Sequence, residues 1–374
     1  MEFAKIYNVL TGIILKNHIF LHYICFMVSL RLVLAFLLYS FFIRAQYTDQ
    51  INSNRPGASI GAFAVGKNVI QAEIGLAFQQ YTHSGYNNST FQGGVGFMAL
   101  RWGFLKETLE LTIESQYLKG SLNSKITSIS NRSSKNGFLQ NFIGVKYLIY
   151  DPFRKERELN VYSWKANNGF KLRNLIPAVS MTLGTNVSFE KNNPFPFNNV
   201  FGNIYRPIFF QNLGVPVDNE PFFHLRGTLA TQSHFLGSWV FVTNFTYDRY
   251  LSVDPMMTHI LTLTHTINPL WSVYIEHQGS NSDLYRYSLF RMGFAYLYSD
   301  NIQVEATLGG STKSTPSRIL ANVGVSYRLD FHKDFISAEE IQSKALKKEE
   351  RNLNKTLKKD TKKERKRNRK AKRN

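Results

Sequence analysis

From residue 68 to the neighbourhood of residue 331 the chain alternates apolar and polar residues with period two, and little else fits it. About twelve segments of roughly 10 to 15 residues show the pattern, each bounded by turn residues. They begin with Asn68–Tyr81, in which Ile70, Ala72, Ile74, Leu76 and Phe78 oppose Gln71, Glu73, Gly75, Ala77 and Gln79. The next are Thr90–Leu105, Glu107–Gly120, Gly137–Tyr150, Ala178–Glu190, Phe222–Gln232 and Ser238–Tyr250. The series closes with His259–Ile267, Trp271–Gly279, Arg286–Ser299, Ile302–Gly310 and Ile319–Phe331. A strand with one apolar face and one wet face must cover the first and hydrate the second.

The connections alternate in length. Short ones fall at Lys106, Leu236–Gly237, Asn268–Pro269 and Ser299–Asn301; longer or more polar ones fall at 82–89, 120–135, 190–221, 251–257, 280–284 and 310–317. The polar stretch 151–174 is long but lies on the short-turn side. An even strand count with this rhythm predicts an all-β protein, a transmembrane antiparallel up-and-down barrel of about twelve strands. In hydrocarbon every backbone N–H and C=O needs an internal partner, and a closed sheet supplies one to each. A soluble sandwich would have shorter strands without the short–long alternation. The chain holds 30 Phe and 19 Tyr. Trp102, Phe104, Tyr147, Tyr150, Trp239, Trp271, Tyr296, Tyr298, Tyr327 and Phe331 all fall near the short-turn end, as an interfacial girdle requires. Trp164 lies apart, in the long connection on that side.

Four sections follow. Residues 1–45 read as a signal peptide with an upstream extension: from Met27, Arg31 precedes an apolar run Leu32–Ile43, and cleavage is expected after Ala45. Residues 46–67 form an N-terminal periplasmic or lumen-entering segment, residues 68–332 the barrel, and residues 333–374 a basic periplasmic tail, disordered or helical. Residues 343–374 carry 16 Lys/Arg against 4 Asp/Glu, so most of the formal net charge of +19 belongs to the tail and not to the fold. The single cysteine, Cys25, precedes the expected cleavage site, which leaves no disulfide, zinc site or thiol nucleophile.

The stretch "NSNRPGASIGAFAVGKNVIQAEIG", Asn52–Gly75, is polar and Gly-rich before it becomes strand, and its Arg55-Pro56-Gly57 cannot join a central ladder because Pro lacks the donor. With Val65-Gly66-Lys67-Asn68 and Gln71-Ala72-Glu73-Ile74-Gly75 it resembles the N-terminal signature of the transporter-like barrels of the phenol-degradation meta-pathway (MetA-pathway) family. That resemblance implies an outer-membrane barrel passing small compounds, hydrophobic or aromatic ones among them. Asn54 stands where the family often has Asp, and the long tail is atypical of such barrels.

The inward faces carry Glu73, Glu110, Glu114, Lys146, Arg226, Asp248, Glu276, Arg291, Glu305 and Arg328. Heights estimated from strand rise predict three sets of lumen ion pairs: Glu276–Arg291–Glu305, Glu110–Lys146–Glu114, and Glu73–Arg328 at the barrel seam. Such pairs filter solutes or hold a gate; equally, they fill and rigidify a narrow lumen. No catalytic residue, metal site or cofactor is expected. His224, His234, His259, His265 and His277 have no metal spacing, with His259 and His265 on the outer face, and His277 with Ser280 near the outer rim is the sole weak nucleophile pair. "GGVGF" at Gly93–Phe97 sits mid-strand without a following helix, so it is no phosphate loop; glycine there makes room inside the barrel. The expected partners are membrane lipid and a small-molecule solute, without nucleic acid. The alternative is a non-transporting structural or envelope-anchoring barrel whose tail binds anionic envelope polymer.

Overall fold

The computed structural model describes residues 51–55, 57–125, 130–152, 175–189, 194–195, 200–201, 222–250, 252, 254–283 and 286–331. The expected signal peptide, Pro56, Trp164 and the basic tail lie outside these residues. Twelve strands form one closed antiparallel barrel in which each pairs with its sequence neighbours and the last with the first. They are β1 (Val69–His83), β2 (Ser89–Gly103), β3 (Leu109–Ser124), β4 (Asn131–Tyr150), β5 (Ala178–Val187) and β6 (Phe223–Phe235), then β7 (Trp239–Tyr250), β8 (Met256–Asn268), β9 (Trp271–Ser282), β10 (Arg286–Ser299), β11 (Ile302–Ser311) and β12 (Ser317–Asp330). The seam is a full ladder, running from Val69 opposite Asp330 to Thr82 opposite Ser317. Closure leaves the sheet with no terminal strand among the described residues, although β4 runs on past β5 from Asn131 to Asn141.

The alternation sorts as a membrane barrel demands. Ile74, Leu76 and Phe78 on β1, Ile275 on β9, Met292 on β10, Leu308 on β11 and Val323 on β12 are exposed on the outer wall, while Gln71, Glu73, Arg101, Glu110, Lys146, Glu276 and Arg328 are buried inside. A water-soluble barrel would invert this, because buried charges and exposed Leu and Phe both cost free energy in water. At the short-turn end, Trp102 packs on Phe104, Trp239 stacks on His265, and Trp271 packs on Tyr296 and Phe294. The Trp, Tyr and His among these rings are amphipathic, as a headgroup level favours. The glycines of "GGVGF" divide between the faces. Gly93 faces in, where an added Cβ would meet the Phe91 ring at 3.0 Å and Lys119 O at 2.7 Å, whereas Gly94 and Gly96 face out.

The segment before β1 does not stay outside. Residues 51–55 and 57–66 run round the inner wall. Ile51 N–H donates to the Asp300 carbonyl in the β10–β11 turn, and Ser53 Oγ pairs with Ser326 Oγ of β12 at 2.7 Å. Gln303 of β11 donates to the Arg55 carbonyl at 2.9 Å. The N–H groups of Ala58 and Ser59 donate to Glu276 of β9, and Ile60 exchanges two hydrogen bonds with the Asn244 amide of β7. Ala62 N–H donates to Gln232 of β6 at 3.0 Å, and its side chain packs on Leu148 of β4 and Ala178 of β5. Val65 N–H donates to Glu110 of β3 at 2.9 Å. The partners from Arg55 to Val65 thus descend in strand order, β11 to β3, so the segment traces most of a circuit. It rejoins the wall at Gly66, whose φ of 95° needs glycine, and Asn68, whose N–H donates to the Gly103 carbonyl. A Cβ on Gly103 would collide with the Gly66 carbonyl, so the two backbones touch there. An irregular strand inside a barrel has no ladder of its own. Wall side chains must meet its backbone groups, and they do so here one after another.

Candidate functional site: a lumen chamber over a charged floor

Under the segment, at the short-turn end, lies an ion cluster. Arg101 of β2 is 1% exposed and grips Glu110 of β3 with two parallel bonds, Nε–Oε1 at 2.8 Å and Nη2–Oε2 at 3.0 Å. Its Nη1 lies 3.5 Å from Glu73 Oε1 and donates to the Asn52 carbonyl at 2.8 Å, and Nη2 reaches the Phe63 carbonyl at 3.3 Å. Lys146 Nζ of β4 stands 3.5 Å from Glu110 Oε1, and Arg55 Nε of the segment 3.9 Å from Glu73 Oε2. The cluster alternates in sign from Arg55 through Glu73, Arg101 and Glu110 to Lys146, so each buried charge has opposite charges as neighbours. Burial in a low-dielectric wall demands that arrangement.

A second grip is Glu276. Its carboxylate accepts the consecutive N–H groups of Ala58 and Ser59, the Thr262 hydroxyl and an Arg291 guanidinium N–H. Gly57 makes the approach possible, since an added Cβ would collide with Glu276 Oε2. Arg291 continues to Gln278.

Above this floor a chamber of about 880 Å³ extends to the rim at the long-loop end, with Asn54, Arg55, Gly57, Ala58 and Ile60 among its lining. On one side the lining carries the apolar or aromatic Tyr81, Phe97, Leu139 and Val200 among polar residues such as Gln79, Glu114 and Gln116. Behind it Phe91, Val95, Leu118, Leu122, Phe195 and Phe201 form a buried cluster, the last two contributed by the connection between β5 and β6. The other side is polar: Asn244, Thr246, Asp248, Thr258, Gln278 and Arg291. Arg226 lies 3.8 Å over the Phe142 ring and reaches Glu114 at 2.9 Å, three strands away. Plain alternation with His224 and Thr228 turns it into the lumen.

The expected residues therefore fall into three groups. Glu110 with Lys146 and Glu276 with Arg291 stand together. Arg55 and Gly57 lie in the lumen on the floor segment. The remaining pairings are different. Glu305 does not join Arg291: in register it pairs with Ala295, while Arg291 pairs with Gly309, four residues higher on β11. Glu114 turns to Arg226 instead of Lys146, because Lys146 sits opposite Glu110 and Glu114 sits opposite Phe142. Glu73 does not meet Arg328. It pairs with Ser326, whereas Arg328 pairs with Gln71 and bonds Asp330 at 3.1 Å. His277 and Ser280 are on opposite faces. His277 contacts Phe290 and Ser288 on the outer wall, and Ser280 meets Thr258 inside. Arg101 and the lumen role of Arg55 escape a reading that surveys charges strand by strand. Strict alternation from Phe97 through Ala99 does point Arg101 inward, between Leu100 and Trp102. Among the described residues no group of three or more His, Cys, Asp and Glu is arranged to hold a metal ion.

Several solved structures are similar at low identity. An outer membrane channel from Pseudomonas putida F1 aligns over 75% of this chain and 100% of its own, with a TM-score of 0.45 and 11% identity. The translocator domain of the autotransporter NalP from Neisseria meningitidis aligns over 74% and 90%, with a TM-score of 0.39 and 6% identity. The CymD monoaromatic hydrocarbon channel aligns over 71% and 90%, with a TM-score of 0.34 and 10% identity. No curated protein matches the chain in sequence. Likeness of this degree between barrels decides nothing about function, which has to be argued from the lumen itself. The sequence places the protein more closely: a family model described as "Putative MetA-pathway of phenol degradation" matches residues 53–205 and 217–329, and the chain belongs to that family.

Proposed function

We propose that the protein is an outer-membrane channel for the passive passage of small amphipathic compounds, aromatic ones included, through a lumen floored by its own residues 51–66. The chamber carries this reading. Its 880 Å³ is within the size of small-molecule sites, and it opposes a wall bearing Tyr81, Leu139 and Val200 to a hydrogen-bonding wall at Asp248, Thr258, Gln278 and Arg291. A ring with one polar substituent can satisfy both walls at once; a sugar presses hydroxyls without partners against the apolar wall, and a plain hydrocarbon leaves the polar wall unpaired. A twelve-strand barrel leaves room for little more than such a solute.

Proteoliposome swelling with the full chain tests the proposal. An aromatic carboxylate is expected to enter faster than a sugar of matched size, and both faster than into protein-free vesicles. Flux equal to protein-free vesicles for both solutes overturns it. If the protein then also bound an anionic envelope polymer, and lost that binding when residues 340–374 were removed, the anchoring alternative would take its place.

A further inference from the structure

Arg55 comes to the wall from the segment, and the wall receives it in a prepared site. Its guanidinium carbon lies 3.7 Å from the centroid of the Phe97 ring. Glu73 stands beside it at 3.9 Å, and Gln303 holds its carbonyl at 2.9 Å. Phe97 lies flat because Gly75 and Gly324, register partners across the β1–β12 seam, leave the space: a Cβ on Gly75 would collide with the ring, and one on Gly324 would stand 3.2 Å from Cζ. Gly324 also pairs with Glu305 of β11 and makes room for its carboxylate, since a Cβ there would be 2.7 Å from Oε1. Glu305 is 2% exposed, and neither of its oxygens makes a hydrogen bond. The charged groups that act on it are Arg55 and Glu73, and the Gln303 amide stands beside it. A buried carboxylate whose neighbouring donor, the Gln303 amide, is bonded to the Arg55 carbonyl requires a reason.

We propose that Phe97, Glu73 and Glu305 form a recognition site for planar cations of the guanidinium or amidinium class, filled in this structure by the chain's own Arg55. An aromatic plate flanked by two carboxylates matches a planar fork of donors that stacks as well as bonds, a combination an ammonium cannot reproduce. Arg101 shares Glu73 but spends its bidentate face on Glu110, so the site remains anionic once Arg55 leaves. A free guanidinium compound entering the chamber therefore competes with Arg55 and loosens the floor segment. The conductance consequence rests on the channel reading; the binding itself does not.

The test uses full-length R55A, with ethylguanidinium as probe and ethylammonium at equal low-millimolar concentration as control. In detergent, ethylguanidinium is expected to raise the midpoint of heat modification of R55A above the ethylammonium value, and Glu305→Gln in the R55A background to weaken that response about tenfold, the worth of one hydrogen bond to a charged group. In planar bilayers R55A should conduct more than wild type, and ethylguanidinium should restore the wild-type level. R55K keeps the charge if R55A fails to fold, and is expected to show the same selective response. Equal responses to the two cations, or a guanidinium response that survives Glu305→Gln, overturn the proposal. Selective binding with no conductance in any variant sinks the channel reading and leaves the site standing.

Discussion

Replacing Arg101 by Met removes the central cation of the floor cluster while keeping a side chain of comparable length. The structure sets the size of the effect. Arg101 holds Glu110 by two bonds at 2.8 and 3.0 Å, approaches Glu73 at 3.5 Å and caps the Asn52 and Phe63 carbonyls. Removing one partner of a buried ion pair costs about 3–5 kcal/mol, because the remaining charge stays buried. Here the lower end applies. Glu110 keeps Lys146 and the Val65 N–H, and Glu73 keeps Arg55 and the Asn54 N–H, so neither carboxylate is stranded. R101M is therefore expected to lose about 3 kcal/mol in reversible urea unfolding in lipid vesicles, followed by tryptophan fluorescence, with an unchanged m-value. The decisive measurement is a double-mutant cycle with Glu110→Leu, which removes both members of the pair; Lys146 loses Glu110 in the single and the double variant alike, so that cost cancels in the cycle. R101M/E110L should be destabilised by about 2 kcal/mol less than the sum of the single variants, within the range seen for residues in contact. Strict additivity would show that the two side chains do not act on one another, and would refute the floor cluster as described.

Leu76, 69% exposed in the middle of β1, should cost about 2–4 kcal/mol on replacement by Arg in vesicles, as charge on the lipid face near the midplane does; a change within about 0.5 kcal/mol, usual for a surface in water, would mean that the outer wall is not in lipid. Gly57→Val forces a side chain against Glu276 and should raise and destabilise single-channel conductance, while an unaltered current would show that this carboxylate does not hold the segment. Asn244→Ala removes both bonds to Ile60, at 2.6 and 2.8 Å, and should cost about 1–3 kcal/mol locally; hydrogen exchange should quicken at residues 57–62 and not in β7, and a uniform rise or none would count against the anchoring.

Strand number, order and facing were legible in the sequence because lipid outside and polar lumen inside impose period two on every crossing, and each crossing repeats the signal independently. Register is another matter. Facing survives an error of two residues, since it moves a side chain along the same wall, but a contact does not. Glu73, expected opposite Arg328, stands two residues away, opposite Ser326, and Glu305 lies four residues from the level of Arg291. Barrel strands tilt and stagger, so heights counted from each strand's own turn do not refer to a common plane. Bulges within β4 and β7 shift the count again. Contacts across the lumen, such as Arg226 with Glu114, are invisible to any reading that compares neighbouring strands.

The course of the N-terminal segment was less legible still, for a physical reason. Its own residues, Asn52 to Gly66, state only that it is no strand; its path is written in the wall. Ser326, Gln303, Glu276, Asn244, Gln232 and Glu110 look in isolation like the scattered polar lining of a pore. Each is instead bonded to the segment, and all but Ser326 to its backbone. A chain without regular structure, held inside a barrel, must find side-chain partners for its peptide groups or leave them unsatisfied. The polar inner wall at this level is thus largely the complement of the segment, and residues that would be assigned to solute selection serve first to hold the floor. The distinction is functional: substitutions on the floor ring should alter whether the lumen conducts, and substitutions at Tyr81, Gln278 or Thr258 above it should alter what passes.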